Sequence, residues 1–450
     1  MTDQAASKVR TVPDDGYRGI WYYNQPSDDE YRFKYSGGLG TYPQPVIPLG
    51  VHAPEAAKTF FCYGGALRTR NELTHVLSCF DHREKTVSRP RVLLNKQTGD
   101  AHDVPAMTID SEGHIWVFSN SHGQARPSWV HRSVQPYDLE EFELLADFNF
   151  SYSQPWWLEG RGLLFLHTHY VSDERGPVRQ LCWMTTSEGR SWTPRRPLAL
   201  FGRGHYQVSW RRGGSVATAF NYHPEPVGLN ARTNLYYLET DDVGETWRTA
   251  GGRTVSTPLE HRDNPALVRD WQSEGLLVYL KTLQFDRRGR PVVLFITSPG
   301  FRSGPCNDPR TWRIARWTGA EWAFGEITTS DSNYDFGPLY VEPDGTWRLI
   351  APTETGPQPY NPGGEVALWL STDEGETWRK VRQLTRDSDR NHTYVRRPVN
   401  AHPEFYAFWA DGHGRQLSRS CLYFTDREGT HVWRLPVEMD GEFAEPEVAW

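Results

Sequence analysis

Short apolar runs separated by turn residues recur along the whole chain and predict a protein built of β-strands. Seven polar segments rich in His, Tyr or Asn each lead into an apolar strand, at intervals of about 50 to 70 residues, the length of a four-stranded blade with its loops. These segments are KYSGGLGTY near 36, DAHDVPAMTI near 102, FSYSQPWWL near 152, GHYQVSWR near 205, HRDNPALV near 262, SNYDFGPLYV near 334 and HTYVRRPV near 394. We expect their polar starts to meet at the rim of one funnel.

A second repeat, S/T-x-D-x-G-x-T/S-W, indicates which kind of β-protein this is. It occurs as STDEGETW (371–378), as TDDVGETW (240–247) and, degraded, as TTSEGRSW (185–192). In such an Asp box the Asp side chain and the Gly close a hairpin turn while the Trp packs on neighbouring strands. Polar strand starts also occur in β-sandwiches, whereas the boxes favour a propeller. We therefore predict an all-β fold, a seven-bladed β-propeller of four-stranded antiparallel blades, forming a single domain over 1–450 whose N-terminal segment helps to close the ring.

Composition agrees with this fold and narrows the partners. With 450 residues and 37% hydrophobic content the chain can bury a large core, and its 39 Gly and 32 Pro suit many turns. The 19 Trp, 21 Tyr and 20 Phe favour strands and can also stack on sugar rings. A net charge of −7 disfavours nucleic acid as a partner.

The start of the chain and the cysteines bear on location. The start has no apolar signal-peptide core, and no run reaches the length of a transmembrane helix, so we predict a cytoplasmic protein without a membrane partner. The five cysteines are scattered without a CxxC, which predicts reduced thiols. Nothing in the sequence indicates the oligomeric state.

The second predicted blade carries three histidines in DAHDVPAMTIDSEGHIWVFSNSHG. His102 precedes one strand and His122 follows the next, so a hairpin places the two side by side at the same rim. His114 falls in the turn at the opposite end, where we expect an exposed residue. The alternative is that His102 and His122 are ordinary surface or capping residues.

The third predicted blade ends a strand with Tyr170, and Arg179 begins the return strand. By the same hairpin geometry they face each other at one end of the blade, although a strand-end tyrosine and a solvated arginine are the simpler interpretation. An arginine can neutralise a carboxylate, a histidine can take a proton and a tyrosine can give one. β-Elimination from a uronic acid requires these three actions.

Further polar residues point toward the funnel with less specificity. We predict as substrate-binding residues His205, Tyr206, Tyr222, Arg232, His261 and Asn264. Packing at blade edges would explain them nearly as well. We find no GxSxG, HExxH, Walker or GxGxxG motif and no singled-out carboxylate pair. No cofactor is required, and a calcium or zinc ion bound by His, Asp and Asn is left open because no ligand spacing identifies it.

The Asp boxes, the opening GYRGIWYYNQP…YSGGLGTY and the segment DAHDVPAMTIDSEGHIWVFSNSHG…RPSWVHRS resemble the BNR-repeat seven-bladed propellers, which include ulvan lyases (polysaccharide lyase families 24 and 25), rhamnosyl-glucuronate lyases and α-L-rhamnosidases. In the lyases, two histidines about twenty residues apart are followed by a Tyr and then an Arg on the next blade. The resemblance implies that His102, His122, Tyr170 and Arg179 are catalytic and that Tyr222 and Arg232 contact substrate. His167 competes with Tyr170 for its place in this alignment.

The combined prediction is a carbohydrate-active lyase that cleaves rhamnosyl-glucuronate oligosaccharides by β-elimination. Two alternatives stay open on the same scaffold. One is a glycoside hydrolase such as an α-L-rhamnosidase, which would activate water. The other is a sugar-binding propeller without catalysis.

Overall fold

The computed structural model describes residues 7–450, and its regular secondary structure is almost entirely β-strand. The strands up to residue 146 are β1 (Lys8–Arg10), β2 (Val12–Pro13), β3 (Trp21–Pro26), β4 (Phe33–Gly38), β5 (Gly50–Ala53), β6 (Lys58–Leu67), β7 (Arg70–Asp81), β8 (Thr86–Ser88), β9 (Arg91–Asn95), β10 (Pro105–Ile109), β11 (Ile115–Ser119), β12 (Trp129–Ser133) and β13 (Glu141–Ala146). Those up to residue 298 are β14 (Ser151–Leu158), β15 (Gly162–Asp173), β16 (Gly176–Thr186), β17 (Arg196–Ala199), β18 (Gln207–Arg212), β19 (Ser215–Tyr222), β20 (Thr233–Thr240), β21 (Trp247–Arg248), β22 (Thr254–Val255), β23 (Leu267–Arg269), β24 (Leu277–Phe285) and β25 (Pro291–Ser298).

The remaining strands are β26 (Arg310–Trp317), β27 (Trp322–Ser330), β28 (Leu339–Val341), β29 (Trp347–Glu354), β30 (Glu365–Ser371), β31 (Arg379–Gln383), β32 (Asn391–Arg396), β33 (Ala407–Gly412), β34 (Leu422–Thr425), β35 (Val432–Arg434), β36 (Phe443–Ala444) and β37 (Glu447–Val448). Four short 3₁₀ helices span Pro54–Ala56, Ala101–Asp103, Gly228–Ala231 and Pro305–Asn307. Within the described residues, no helix has the length and apolarity needed to cross a membrane.

The strands form a β-propeller, which confirms the predicted all-β class. Six sheets are regular blades in which four strands consecutive in sequence pair in order, beginning at β10, β14, β18, β24, β28 and β32. The described residues therefore form six such blades, and the predicted count of seven four-stranded blades is wrong. In the remaining large sheet, β9 pairs with β7, and β2, β8 and β36 add to it, because segments from both chain ends join this sheet.

Two of the seven predicted blade starts are also wrong. KYSGGLGTY contributes β4, which pairs with β3 in a separate two-stranded hairpin, while the inner strand of that region is β5. HRDNPALV leads into β23, which pairs with β20 at the side of an existing blade. The true inner strand, β24, begins nine residues after HRDNPALV ends. It is apolar from its start, so the pattern of polar strand starts does not include it.

The Asp boxes form the turns that their sequences predict. The Asp373 carboxylate accepts hydrogen bonds from the backbone N–H of Thr377 (2.9 Å) and its Oγ1 (2.5 Å), and Gly375 takes a positive φ of 85°. Asp242 holds Thr246 in the same way, at 2.9 and 2.6 Å. These turns fix the outer hairpins, and the box Trp247 is buried in the core.

The ring closes where the first and last sheets meet. Val51 of β5 bridges Val399 beyond β32, and the two chains exchange hydrogen bonds there, from the His52 N–H to the Val399 carbonyl (2.9 Å) and from the Val399 N–H to the Gly50 carbonyl (2.8 Å). Both chain ends reach across this junction. The N–H of Gly19 donates to Ser420 (3.0 Å), while β36 pairs with β8 and β37 with β35.

Candidate active site

The two rim histidines of the β10–β11 hairpin lie side by side, as the sequence predicts, and their rings stack on each other. Pro105 pairs with Ser119 at the end of the hairpin, and the rings of His102 and His122 lie 3.9 Å apart with an interplanar angle of 18°. His114 lies at the opposite end. It is half-buried rather than exposed, because its Nδ1 bonds to the Ser133 carbonyl at 2.8 Å.

Asp100 joins the two histidines. One carboxylate oxygen accepts from Nδ1 of His102 (2.5 Å) and the other from Nδ1 of His122 (2.7 Å). Asp100 also caps the short helix Ala101–Asp103, since it accepts the backbone N–H of His102 at 3.0 Å. Because both Nδ1 atoms face a carboxylate, each imidazole is fixed as the tautomer that carries its proton on Nδ1.

The second ring nitrogen distinguishes the two histidines. Nε2 of His102 is held by the hydroxyls of Tyr42 (2.6 Å) and Tyr35 (2.9 Å), and the residue is buried. His122 remains 26% exposed and lines the cavity, and its Nε2 has no hydrogen-bond partner among the described residues. His122 is therefore the member of the pair that a ligand can reach.

Burial and charge set the protonation of this group. Burial, followed by the neighbouring His122, lowers the pKa of His102 to about 4, so that its ring is neutral at neutral pH. For Asp100, burial acts to raise the pKa, but the charges and hydrogen bonds of the two histidines outweigh it and hold the pKa well below the usual value. Asp100 is thus a permanent carboxylate behind the imidazoles.

Tyr170 and Arg179 are directly opposite each other in the β15–β16 pair. Nε of Arg179 donates to the Tyr170 hydroxyl (3.0 Å), and the guanidinium lies 5.1 Å from the centre of that ring. Burial raises the pKa of Tyr170 to about 12 although Arg179 opposes this, so the phenol keeps its proton. The Tyr170 ring lies 6.0 Å from that of His122. The competing His167 is buried and accepts a hydrogen bond from Arg195 (2.9 Å), away from this group.

His102, His122 and Arg179 line one cavity at the centre of the propeller, whereas Tyr170 is buried next to Arg179 and is not one of the lining residues. The lining of this cavity contains four cationic side chains, Lys34, Arg179, Arg232 and Lys281. Its aromatic lining residues are Tyr35, Tyr42, Tyr152, Tyr206, Tyr279, Tyr334 and Tyr394. Within the described part of the chain, no Asp or Glu side chain lines the cavity. A site of this kind attracts an anion and offers hydroxyls and ring faces to a sugar.

Three of these four cationic residues, Lys34, Arg232 and Lys281, are buried. The Arg232 guanidinium lies 4.6 Å from the ring centre of Tyr279 and 5.1 Å from that of Tyr206. Burial, followed by the charges of Arg232 and Arg179, lowers the pKa of Lys34 to about 7. Burial also lowers the pKa of Lys281 to about 7. Both ammonium groups are therefore poised to gain stability from a bound anion.

Irregularities in the inner strands direct several of these side chains into the cavity. The pairing shifts next to Tyr152 in β14, Lys281 in β24 and Tyr394 in β32. Tyr152 and Tyr394 also have positive φ angles of 53° and 46°, an uncommon conformation for a bulky residue. A bulge changes the direction in which a side chain points, and in each of these three inner strands it directs one side chain into the cavity.

The predicted substrate-binding residues divide into two groups. Tyr206 and Arg232 line the cavity. Tyr222 instead bonds through its hydroxyl to Gln272, and buried His205 directs Nδ1 to the Asn221 carbonyl (3.0 Å).

The last two predicted residues lie in the loop before β23. His261 is exposed, and the Asn264 amide holds the same loop through the His261 carbonyl (2.8 Å). The structure does not bring these four residues to the cavity.

Sequence reasoning missed Asp100 and the tyrosines that encircle the cavity, with the exception of the predicted Tyr206. Asp100 stands two residues before His102, and an Asp that precedes a short helix is a capping signal that the sequence does contain. Tyr152, Tyr206, Tyr334 and Tyr394 each stand in one of the quoted polar segments. A comparison of the aromatic position across these segments would have indicated these tyrosines.

Asp100, His102 and His122 are the part of the site with ligand atoms for a metal. One atom from each lies within 4.8 Å of the others. The Nδ1 atoms of both histidines already donate to the carboxylate, and a metal would replace these two hydrogen bonds. The arrangement as it stands is that of a hydrogen-bonded base.

The fold and the site together define a β-propeller with a cationic, tyrosine-lined central cavity. The BNR repeat-containing family matches residues 71–329, more than half of the chain, and the chain belongs to this family. It is 23% identical over 351 residues to the ulvan lyase of Nonlabens ulvanivorans, covering 69% of this chain and 70% of that protein. It is 21% identical over 347 residues to an ulvan lyase of Alteromonas sp. (strain LOR), covering 68% of each.

Solved structures agree with the fold over almost the whole chain. A PL25 ulvan lyase bound to -[GlcA(1-4)Rha3S]- superposes with a TM-score of 0.70 at 16% identity, covering 93% of this chain and 96% of that one. The polysaccharide lyase Uly1 gives a TM-score of 0.62 at 10% identity, covering 96% and 99%. The predicted relationship to the ulvan lyases and the predicted enzyme class, a polysaccharide lyase, are confirmed.

Proposed function

We propose that the protein cleaves a uronate-containing saccharide of the rhamnosyl-glucuronate type by β-elimination. One observation carries the proposal: His122, held by the half-buried Asp100 carboxylate, opens into a cavity whose lining, within residues 7–450, contains four cations and no carboxylate. The cations would bind an anionic substrate, and the histidine would remove a proton from an acidic carbon of that substrate. The saccharide bound to the structurally similar PL25 ulvan lyase, -[GlcA(1-4)Rha3S]-, contains such a sugar and supports the choice.

Arg179 is placed to neutralise the uronate carboxylate. Its Nε is held by Tyr170, which leaves the two terminal nitrogens for a bidentate contact. Burial acts to lower the pKa of Arg179, but the surrounding tyrosines raise it above the usual value, so the charge is permanent. Neutralising the carboxylate makes the C5 proton of the sugar acidic, because the negative charge that develops on proton removal spreads into a paired group.

His122 then takes the C5 proton on Nε2. The Asp100 carboxylate holds Nδ1–H at 2.7 Å, which keeps Nε2 free of a proton and stabilises the imidazolium that forms. His102 does not share this task in our proposal, since its Nε2 is occupied by Tyr35 and Tyr42. His102 instead positions Asp100 and packs against the base.

Tyr170 supplies a proton to the leaving O4. Its phenol is protonated at neutral pH, and its hydroxyl lies beside Arg179 and 3.4 Å from the hydroxyl of Tyr152, which lines the cavity. As the C5–H bond breaks, its electron pair forms the C4=C5 double bond and the C4–O4 bond breaks. O4 leaves as a hydroxyl, and His122 returns a proton to the tyrosine between turnovers.

The glycoside hydrolase alternative fits the cavity less well. Inverting and retaining hydrolases generally require two carboxyl groups flanking the bond. Among residues 7–450, the cavity lining contains none, and Asp100 stands behind the histidines with both oxygens occupied. Neither water activation nor a covalent intermediate has a second carboxylate to use.

The test follows ultraviolet absorbance of the unsaturated uronate and released reducing ends on rhamnosyl-glucuronate oligosaccharides. We expect both to rise together, and neither to rise on the same substrate with its carboxyl groups methyl-esterified, which Arg179 cannot pair with. Reducing ends alone would indicate a hydrolase. Calorimetric binding without either product would indicate a sugar-binding propeller.

A further inference from the structure

A second histidine cluster lies away from the cavity, where the first and last sheets meet. His52 in β5 and His82 after β7 come from the first sheet, and His402 and Glu404 from the loop before β33. The ring of His402 lies 3.8 Å from that of His82 and 4.9 Å from that of His52. None of these residues lines the candidate active site.

The hydrogen bonds of the cluster leave several nitrogen atoms directed inward. Nε2 of His82 pairs with the Thr59 hydroxyl (2.8 Å), so its Nδ1 faces Oε2 of Glu404 at 3.3 Å. Nδ1 of His402 lies 3.8 Å from the same oxygen and accepts the backbone N–H of Glu404 at 3.3 Å, a contact that a metal at this nitrogen would replace. One atom from each of His82, His402 and Glu404 lies within 4.8 Å of the others. His52 directs Nδ1 to the Asn400 carbonyl (3.1 Å), which leaves its Nε2 available.

The charges of the cluster are those that a metal ion requires. Burial, followed by the neighbouring His402, lowers the pKa of His82 to about 4. Burial also lowers the pKa of His402 and of His52. Burial acts to raise the pKa of Glu404, but Lys85 and His82 outweigh it and lower it. At neutral pH the cluster therefore offers neutral imidazoles and one carboxylate, which are the protonation states of metal ligands.

We propose that this cluster binds a divalent transition-metal ion, with Zn²⁺ as the best match. His82, His402 and Glu404, whose ligand atoms already lie within 4.8 Å of one another, supply three ligands, and His52, whose ring lies 4.9 Å from that of His402, moves in on binding to supply the fourth. Zinc takes such a set of imidazole and carboxylate donors in tetrahedral sites. The contacts of His82 with Thr59 and of His52 with Asn400 would orient the rings from behind. This inference does not depend on the proposed function.

The position of the cluster gives the metal a structural role. His52 and His82 belong to the sheet that begins the ring, while His402 and Glu404 belong to the blade that ends it. A bound ion would connect the two at the place where the ring closes between Val51 and Val399. Because only the closed ring assembles all four ligands, binding stabilises the folded state.

The experiment titrates Zn²⁺ into chelator-treated full-length protein by calorimetry and measures the melting temperature with and without the ion. We expect one ion at this cluster and a higher melting temperature. His402→Ala should weaken binding at least about tenfold and remove the thermal shift. His431→Ala, an exposed histidine elsewhere, should change neither. His122→Ala tests the other histidine group and should leave zinc binding intact.

Two results with zinc would overturn the proposal. One is the absence of saturable zinc binding. The other is binding that survives His402→Ala but disappears with His122→Ala, which would place the ion beside Asp100. Should His402→Ala fail to fold, His52→Gln and the visible spectrum of the Co²⁺-loaded protein replace it. A tetrahedral Co²⁺ spectrum in the parent that is unchanged by His52→Gln would equally contradict the assignment.

Discussion

Asp100 holds the proton of His122 on Nδ1 and so leaves Nε2 free to act as the base. We expect Asp100→Asn to lower kcat about 10²- to 10⁴-fold, because an amide can stabilise the wrong tautomer and carries no charge to stabilise the imidazolium. The absorbance assay on oligosaccharide measures this, with circular dichroism to check folding. Asp241→Asn, in an Asp-box turn, is the matched control and should keep full activity. Activity of Asp100→Asn within about twofold of the parent would contradict the role of His122 as base.

Lys34 and Lys281 make substrate binding depend on pH. Both have a pKa lowered to about 7, so each is charged below that pH and neutral above it. Affinity for an anionic oligosaccharide should therefore fall as the pH rises through 7. Calorimetry with the inactive variant His122→Asn separates this from catalysis. Lys34→Gln should weaken binding of the oligosaccharide at low pH and make its affinity depend less on pH. If the affinity changes with pH as steeply in Lys34→Gln and in Lys281→Gln as in the parent, the two lysines do not cause the pH dependence.

Among single residues, the sequence predicted the pairs of side chains that a β-hairpin brings together by its geometry alone. His102 with His122, and Tyr170 with Arg179, follow from counting residues on either side of a turn. Asp100 was not predicted, because its role depends on a short helix that turns its carboxylate back onto both rings. That geometry has no periodic signature in the sequence.

The Asp-box turn is the element that fixes the outer hairpins. Asp373→Ala should destabilise the protein by about 1–3 kcal/mol, because the backbone N–H and hydroxyl of Thr377 lose a charged acceptor. The measurement is the midpoint of urea unfolding, with the m-value unchanged. In the degraded box, Ser187 stands at the position of Asp373, and the neighbouring Glu188 accepts the turn hydrogen bond instead, from the Ser191 N–H at 2.6 Å. Ser187→Ala there should change stability by less than about 0.5 kcal/mol, and equal effects of the two substitutions would contradict this account.

The inner strands show where sequence patterns stop being informative. Apolar runs and turn residues predict that strands exist, yet Lys281 and Tyr152 reach the cavity through shifts in strand pairing. A shift of one residue reverses the face on which a side chain lies, and nothing local in LLVYLKTLQF marks the position of that shift. His261 and Asn264 were predicted to bind substrate for a different reason: the blade start was placed one segment too early, at HRDNPALV instead of β24, and the structure does not bring these two residues to the cavity.

At the scale of the molecule, the regular blades were predictable and the closure was not. Six blades repeat a local pattern that each segment of sequence carries by itself. The irregular sheet instead combines β2 and β36, which lie more than 400 residues apart, and no local pattern links them. That the whole chain forms one domain stays a prediction, and it depends on this long-range pairing.

A single closed ring should unfold as one cooperative unit, and its closure should depend on the last residues. β36 pairs with the first sheet and β37 with the last, while Trp450 donates from Nε1 to the Arg386 carbonyl at 3.0 Å. Deletion of 441–450 removes all three contacts and should lower stability by about 3 kcal/mol. Calorimetry should still show one transition, with matching calorimetric and van't Hoff enthalpies. Two transitions in the parent protein would contradict a single domain, and an unchanged melting temperature in the deletion variant would show that the ring closes without its C-terminal strands.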